Sequence, residues 1–342
     1  MCESACSIES IAEAVRNYGG VTRKLAIGRL VQRLKIPAEH VMASFGEDAA
    51  VIATNTATDT GRGEVLLLAA DGIWSQLMEV DPYWAGYCSI LVNIHDIAAM
   101  GGRPIALVDI LSMCDCEIGA LVTKGMHDAS QQFGVPVVGG HVHPDADVNS
   151  IGVAVIGVAQ SDGVIYSTTA QAGDVIIAAY DLQGRVHPSS RANWDSVTMK
   201  DAAFLRAQIA IMQELGEKKL VTAGKDVSNP GLLGTLGMML EVSRVGAVVD
   251  IELIPTPPLA EHGLTLVQWL MMYPGMGFIL TAHKEHVPEI ISCFSSVSMQ
   301  AAVIGEVTAS RKLEICCGNS SAQIFDFVDD DVTGIERCYP DE

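Results

Sequence analysis

Between Val92 and Gly102 the chain reads Val-Asn-Ile-His-Asp-Ile-Ala-Ala-Met-Gly-Gly, an apolar helical run with Asn93 and Asp96 set three residues apart inside it. On a helix, positions i and i+3 share a face, so these two side chains are expected to project together while Leu91, Ile94 and Ala98 pack elsewhere. A carboxylate buried there without a partner is costly, so a cation, a basic side chain or a ligand is expected beside it. A solvated or capping aspartate is the plainer alternative. The choice turns on whether other polar groups converge on the same helix.

At 342 residues the chain is long for a single core, and two domains are expected, residues 1–168 and 169–342. A hydrophobic content of 49% is ample for packed interiors, and 32 glycines point to many tight turns or close backbone approaches. The formal charge of −20 argues against nucleic acid or an anionic membrane as partner, since both demand basic surfaces. An acidic protein that handles phosphates needs metal ions to do so. No apolar run reaches the roughly 18 residues that span a bilayer. Met1 to Arg16 carries Glu3, Glu9 and Glu13 and lacks the apolar core of a signal peptide, so a cytoplasmic location is expected. Of the nine cysteines, Cys114-x-Cys116 and Cys316-Cys317 are too close-set for ordinary zinc spacing and read as inert, buried hydrophobes. A reactive thiol is conceivable only at Cys2 or Cys6.

Apolar spacing predicts two helices over residues 8–34, strands at 49–52 and 65–70, a helix at 85–100, and a strand at 105–111. A helix at 118–133 and strands at 135–138 and 150–159 follow. That order predicts an α+β unit with helices on one face of a mainly antiparallel sheet. A second unit alternates strands at 173–179, 219–227, 247–251, 276–282 and 301–307 with helices near 200–215, 229–243, 264–272 and 284–296.

Three acids stand at element ends in the first unit: Asp48 in Gly-Glu-Asp-Ala-Ala, Asp71 in Ala-Ala-Asp-Gly, and Asp96. Together they suit a hard metal such as Mg²⁺, which takes oxygen ligands and bridges to phosphates. Any one of them alone reads equally as a turn residue. Val137-Val138-Gly139-Gly140-His141-Val142-His143 is a strand ending in a double glycine, expected to form a phosphate-facing turn with His141 at its lip. His141 and His143 could chelate zinc, but strand alternation gives the same pattern and no third ligand is evident. In the second unit, Lys225-Asp226-Val227-Ser228-Asn229-Pro230-Gly231 reads as strand, turn and helix start. Ser228 or Asn229 would cap, Pro230 would sit in the first turn, and the helix N-terminus would offer N–H groups to an anion.

In this order, from about residue 40 to 310, the motifs resemble the successive signatures of the aminoimidazole ribonucleotide (AIR) synthetase superfamily. That superfamily includes thiamine-monophosphate kinase, selenophosphate synthetase and the hydrogenase maturation protein that dehydrates a carbamoyl group. Asp81-Pro82-Tyr83-Trp84-Ala85-Gly86-Tyr87, Asn193-Trp194-Asp195 and the stretch Trp269 to Phe278 are most similar to the methanogenesis marker protein 2 branch. The resemblance implies a two-domain AIR synthetase-like fold, an N-terminal mixed or antiparallel sheet followed by a C-terminal α/β domain. It also implies a homodimer whose N-terminal sheets meet in a barrel, with ATP and Mg²⁺ in a cleft between domains. By motif, Asp48, Asp71 and Asp96 would hold Mg²⁺, and Asn93 would support them. Gly139, Gly140 and His141 would lie against phosphate, and Asp226 and Lys225 would face the cleft from the second domain. Kinase members carry an acid where His141 stands, which bears on the number of metal ions. The glycine-rich cysteine loop of selenophosphate synthetases has no counterpart, so selenide chemistry is not expected.

The function expected is ATP- and Mg²⁺-dependent phosphoryl transfer to, or activation of, a small-molecule acceptor. The alternative is a nucleotide-binding assembly or regulatory protein without turnover. Arg23, Lys24 or Lys225 would add positive charge at the phosphates. The polar stretch with Arg185, His187, Asn193 and Asp195 would contact the acceptor.

Overall fold

The computed structural model describes residues 7–31, 33–34, 38–54, 63–273 and 275–335. The helices α1 (Ile8–Arg16), α2 (Gly19–Thr22) and α3 (Ala26–Val31) precede β1 (Val41–Ala43), β2 (Ala50–Ala53) and β3 (Glu64–Ile73). Next come α4 (Ser75–Val80), α5 (Pro82–Ala99), β4 (Arg103–Ser112), α6 (Cys116–Phe133), β5 (Val137–His143) and β6 (Ser150–Gln160). The six strands form one sheet in the order β1-β2-β3-β6-β4-β5, antiparallel except for the β4–β5 pair. Val65, Leu67 and Ala69 of β3 face the core under α5, whereas Leu68, Val108, Ile110 and Ile156 leave the opposite face apolar and exposed.

The second half continues with β7 (Val175–Tyr180), β8 (Arg185–His187), β9 (Ser190–Asp195), α7 (Ala202–Glu217), β10 (Ala223–Asp226) and α8 (Gly231–Ser243). It ends with β11 (Gly246–Asp250), α9 (Leu266–Leu270), β12 (Gly277–Ala282), α10 (Val287–Ser296), β13 (Gln300–Thr308), β14 (Lys312–Cys317) and β15 (Ser320–Asp326). Seven of these strands make a second sheet in the order β10-β12-β7-β13-β11-β14-β15. Strand β7 is buried along its whole length, as expected of a strand covered on both faces. Val175, Ile177 and Ala179 join the core containing α5 and α7, and Ile176, Ala178 and Tyr180 join the one containing α1 and α8.

Helix α5 is the shared wall of the two halves. Asp81 caps it by accepting the Trp84 N–H at 2.9 Å, and Pro82 fits its first position. Its apolar residues run all round because the first sheet, α6, and β10 with α7 each cover a side. Its crossing with α6 is closed by two glycines. A Cβ on Gly86 would stand 2.0 Å from the Val122 carbonyl oxygen, and one on Gly125 would stand 2.0 Å from that of Tyr83.

Several elements differ from the sequence pattern. Residues 185–195, read as a polar loop, pair as the β8–β9 hairpin, and β14 and β15 extend the second sheet beyond the last expected strand. The strand expected from 219 begins at Ala223, because Lys218 still caps α7 and Lys219 takes a left-handed backbone with φ 55°. The two helices expected over 8–34 are three short pieces, with a 3-10 turn at Arg23–Leu25. Of the cysteines expected to be buried, Cys88 and Cys293 are, but Cys114 and Cys116 are exposed and Cys316 and Cys317 half-buried. They lie on a loop, a helix start and the β14 strand next to the sheet edge. Cys2 and Cys6 fall outside the described residues.

The α5–α6 crossing predicts a stability change. Gly86→Ala forces a methyl into the Val122 backbone and is expected to destabilise the protein by about 1–3 kcal/mol, read from the midpoint of urea unfolding. An unchanged midpoint would contradict the close approach.

Candidate functional site

Three carboxylates meet where the two halves adjoin. Asp48 enters from the turn before β2, Asp96 from the last turns of α5, and Asp226 from the end of β10, with ligand oxygens all within 4.8 Å of one another. Among the described residues no other group of three metal-competent side chains comes together in this way. Asp71, expected with Asp48 and Asp96, lies two residues before the end of β3 and accepts the Gly72 N–H at 2.7 Å. It lines the same cleft as Asp96 and Asp226 but stands outside the tight group. Asp226 takes its place there.

Electrostatics set this cluster apart. Burial pushes the Asp96 carboxyl well above the carboxylate range, and the charges of Asp226, Asp48 and Asp71 push it further. Asp226 rises to about 7 through burial and the charge of Asp48, against the pull of Lys225. Burial also raises Asp71, opposed by its bond from Gly72 and by Lys24. Among the described residues the one buried lysine or arginine is Lys225, 3% exposed, whose ammonium pairs with Oδ1 of Asp48 and lies 3.4 Å from Ser167 Oγ. Burial opposes its charge, yet Asp48, Asp226 and Glu47 together hold its pKa above the ordinary lysine value. Oδ2 of Asp48 is buried without a partner. A set of carboxylates that repel one another around an unpaired buried oxygen fits a hard divalent cation.

Asp96 and Asp226 of the cluster, with Asp71, line a cleft of about 450 Å³. Cys88, Val92 and Asp96, spaced four apart on α5, form part of its lining. Asn93 does not share this stripe. It is wholly buried, its Nδ2 donating to the Ser89 carbonyl at 2.8 Å and its Oδ1 unpartnered, because a four-residue step keeps closer to one helix line than a three-residue step. His95 beside it is also buried. Neither ring nitrogen has a partner, and burial lowers its pKa to about 4, so it is neutral.

Helix α8 begins at Gly231 rather than Asn229, with Pro230 as an N-cap that offers no side chain. Gly231 takes φ +70°, and a Cβ there would stand 2.2 Å from the Leu270 carbonyl oxygen. Ser228 and Asn229 therefore remain in the turn and line the cleft. Asn229 donates to the Tyr273 hydroxyl at 2.7 Å and leaves its Oδ1 unpartnered. On the other wall are Arg23 and Lys24, the Arg23 guanidinium lying 5.6 Å from the ring centre of exposed Trp74.

Of the polar hairpin, only Asn193 among the four expected acceptor contacts lines the cleft, together with Ser189, Ser190 and Ala192. Asp195 is buried, accepting bonds from Thr198 and pairing with Arg185, and His187 stacks on Trp84 at 4.3 Å. These three build the hairpin rather than the cleft surface. Gly139 and Gly140 do not form a turn: they run within β5, the edge strand of the first sheet, and do not line this cleft. His141 follows in the same strand, its ring 4.5 Å from that of His143, and the described residues bring no third ligand to the pair.

Two family models match the chain: AIR synthase related protein, N-terminal domain, over residues 46–159, and AIR synthase related protein, C-terminal domain, over residues 171–317. An uncharacterized protein of Methanocaldococcus jannaschii is 44% identical over 332 residues, covering 96% of this chain and 99% of that one. The solved structure of Thermotoga maritima PurL complexed with ATP has a TM-score of 0.72 at 17% identity, covering 93% of this chain and 52% of that one. AaThiL complexed with AMPPCP and TMP has a TM-score of 0.63 at 16% identity, covering 87% and 95%. The fold is thus shared with both, and the chain spans about half the length of PurL.

The cluster predicts a pH dependence in metal-free protein. The folded pKa of Asp226, about 7, lies above the ~3.9 of an unfolded aspartate, so the folded state holds the proton more tightly. The stability this supplies is full below about pH 4 and is lost as pH rises through 7. Urea unfolding between pH 5 and 8 is expected to show stability falling, with a shallower fall in Asp226→Asn. Equal slopes in the two proteins would refute the assignment.

Proposed function

Because the chain belongs to the AIR synthase related family, we propose that it catalyses ATP- and Mg²⁺-dependent phosphoryl transfer to a small-molecule acceptor. The acceptor oxygen is either the final site of the phosphoryl group or is activated by it for later loss. One observation carries this reading: carboxylates from both halves, Asp48, Asp96 and Asp226, converge within 4.8 Å, and two of them, Asp96 and Asp226, line a cleft. The nucleotides bound to T. maritima PurL and AaThiL, proteins of the same fold, add support.

Phosphoryl transfer asks for alignment and charge neutralisation more than for a covalent nucleophile. Asp48, Asp96 and Asp226 would hold Mg²⁺, with Asp71 beside them. When bound, the ion neutralises charge on the phosphate oxygens. Arg23 and Lys24 supply positive charge from the facing wall, and the α8 N-terminus supplies backbone N–H groups. Ser190 and Asn229 present a hydroxyl and an amide oxygen that can orient an acceptor, over an apolar surface made by Val92, Leu77 and Cys88.

We place the protein in the cytoplasm as a homodimer. Its described cysteines are free, which suits a reducing compartment. No described helix is long and apolar enough to cross a membrane. A second copy would cover the apolar outer face of the first sheet, where Leu68, Val108, Ile110 and Ile156 are exposed.

Asp96→Asn is expected to weaken Mg²⁺-dependent ATP binding at least tenfold while the variant stays folded, as measured by calorimetry. Unchanged affinity would defeat the metal assignment. Wild-type protein with Mg²⁺ and ATP is expected to release ADP in the presence of one member of a panel of small carboxylates, amides and phosphomonoesters. ATP binding without release for any of them would count against turnover.

A further inference from the structure

The buried cation in the acidic cluster is unusual for where it sits. Lys225 is a strand residue of β10, side by side with Asp226, and its ammonium is almost fully removed from solvent. It lies among Asp48, Asp226 and Glu47, the acids that hold its charge in place. A buried ammonium is tolerated only where fixed negative charge offsets its desolvation, and here one carboxylate, that of Asp48, is in direct contact. Glu47 is engaged elsewhere, its carboxylate accepting the Ser167 N–H at 2.5 Å and the Thr168 hydroxyl at 2.7 Å. That leaves Asp48, Asp71, Asp96 and Asp226 as the acids facing or adjoining the cleft, with Lys225 as their one buried counter-charge.

Four carboxylates around one cavity carry enough charge for two divalent ions, but Lys225 divides them. It takes Oδ1 of Asp48 and leaves Oδ2 of the same residue buried and unpartnered. Asp48 belongs with Asp96 and Asp226 in the close group, whereas Asp71 stands apart from it. We propose that the Lys225 ammonium stands in for a second divalent cation, so that the nucleotide-loaded site takes a single metal ion on Asp48, Asp96 and Asp226. Lys225 is thus a positioning residue. It fixes Asp48 so that one oxygen is neutralised by the protein and the other is presented to the metal. This rests on the magnesium reading above and adds to it the number of ions and the residue that sets that number.

The test is a Mn²⁺ titration of the full chain with a non-hydrolysable ATP analogue, with free Mn²⁺ counted by electron paramagnetic resonance. Wild type is expected to bind one Mn²⁺ per chain, Lys225→Met two, and Lys225→Arg, which keeps the charge, one. Two ions in the wild type, or one in Lys225→Met at unchanged affinity, would overturn the inference. No bound ion in the wild type would instead overturn the magnesium reading itself. A second measurement guards against a folding defect in the methionine variant. Removing the ammonium leaves Asp48 buried beside its like-charged neighbours, so metal-free Lys225→Met is expected to melt below wild type and to gain more from added Mn²⁺. An equal Mn²⁺-induced rise in Tm in both proteins would also overturn the inference.

Discussion

The mutual repulsion of Asp48, Asp96 and Asp226 is the interaction on which the rest of the architecture bears. Each of these acids comes from a different element, and each is held where an isolated carboxylate would gain by moving toward water. Only a rigid surround can keep such groups together. Asp96 rides on a helix packed on every side, and Asp226 ends a strand hydrogen-bonded into a seven-stranded sheet. Asp48 is fixed through its bond to Lys225. The fold stores unfavourable charge at one point, and a divalent cation would release it.

Helix α5 explains how that point comes to lie at a boundary between two sheets. The Gly86 and Gly125 contacts bring α6 close, and the first sheet covers another side, so only the flank facing the second half can open onto a cavity. Along that flank the side chains repeat every fourth residue, Cys88, Val92 and Asp96. The same helix therefore supplies an acid at one place and apolar surface at the others. The β8–β9 hairpin leans on its N-terminal end, where Trp84 Nε1 donates to Asn193 Oδ1 at 3.0 Å and Ser189 donates to Asp81 at 2.7 Å. The hairpin's cleft-facing residues are positioned by the helix that carries Asp96.

Much of this was legible in the residues, because polar groups that end apolar runs stand out locally. Asp48, Asp71, Asp96 and Asp226 each announce themselves by an acid or an acid-glycine pair beside a strand or helix, and the two-sheet α+β organisation follows from the order of runs. What the pattern could not convey is which acids meet. Asp226 joins Asp48 across more than half the length of the chain, and that partnership depends on how β10 docks on α5 rather than on local spacing. Asn93 was paired with Asp96 by helical spacing, yet the side of α5 that faces the cavity is chosen by the second half. Gly139 and Gly140 looked like a turn because glycine pairs usually interrupt strands, but parallel pairing with β4 carries the strand through them. Lys225 reads as an ordinary strand-end lysine until Asp48 is brought to it.

Glu47 ties the metal-competent cluster to the junction of the two halves. This residue precedes Asp48, and its carboxylate binds the backbone of Ser167 and the side chain of Thr168, at the junction of the two halves. Ser167 in turn donates its hydroxyl to the Gly224 carbonyl at 3.1 Å, and its own carbonyl accepts from Ser243 at the end of α8 at 2.9 Å. A shift of the second half relative to the first would pull on Ser167, hence on Glu47 and Asp48, while carrying Asp226 and Lys225 with β10. The spacing of the carboxylates and the relative placement of the two halves are therefore one geometric quantity. Charge in the cluster acts on the interface between the halves, and packing at that interface acts on the charge.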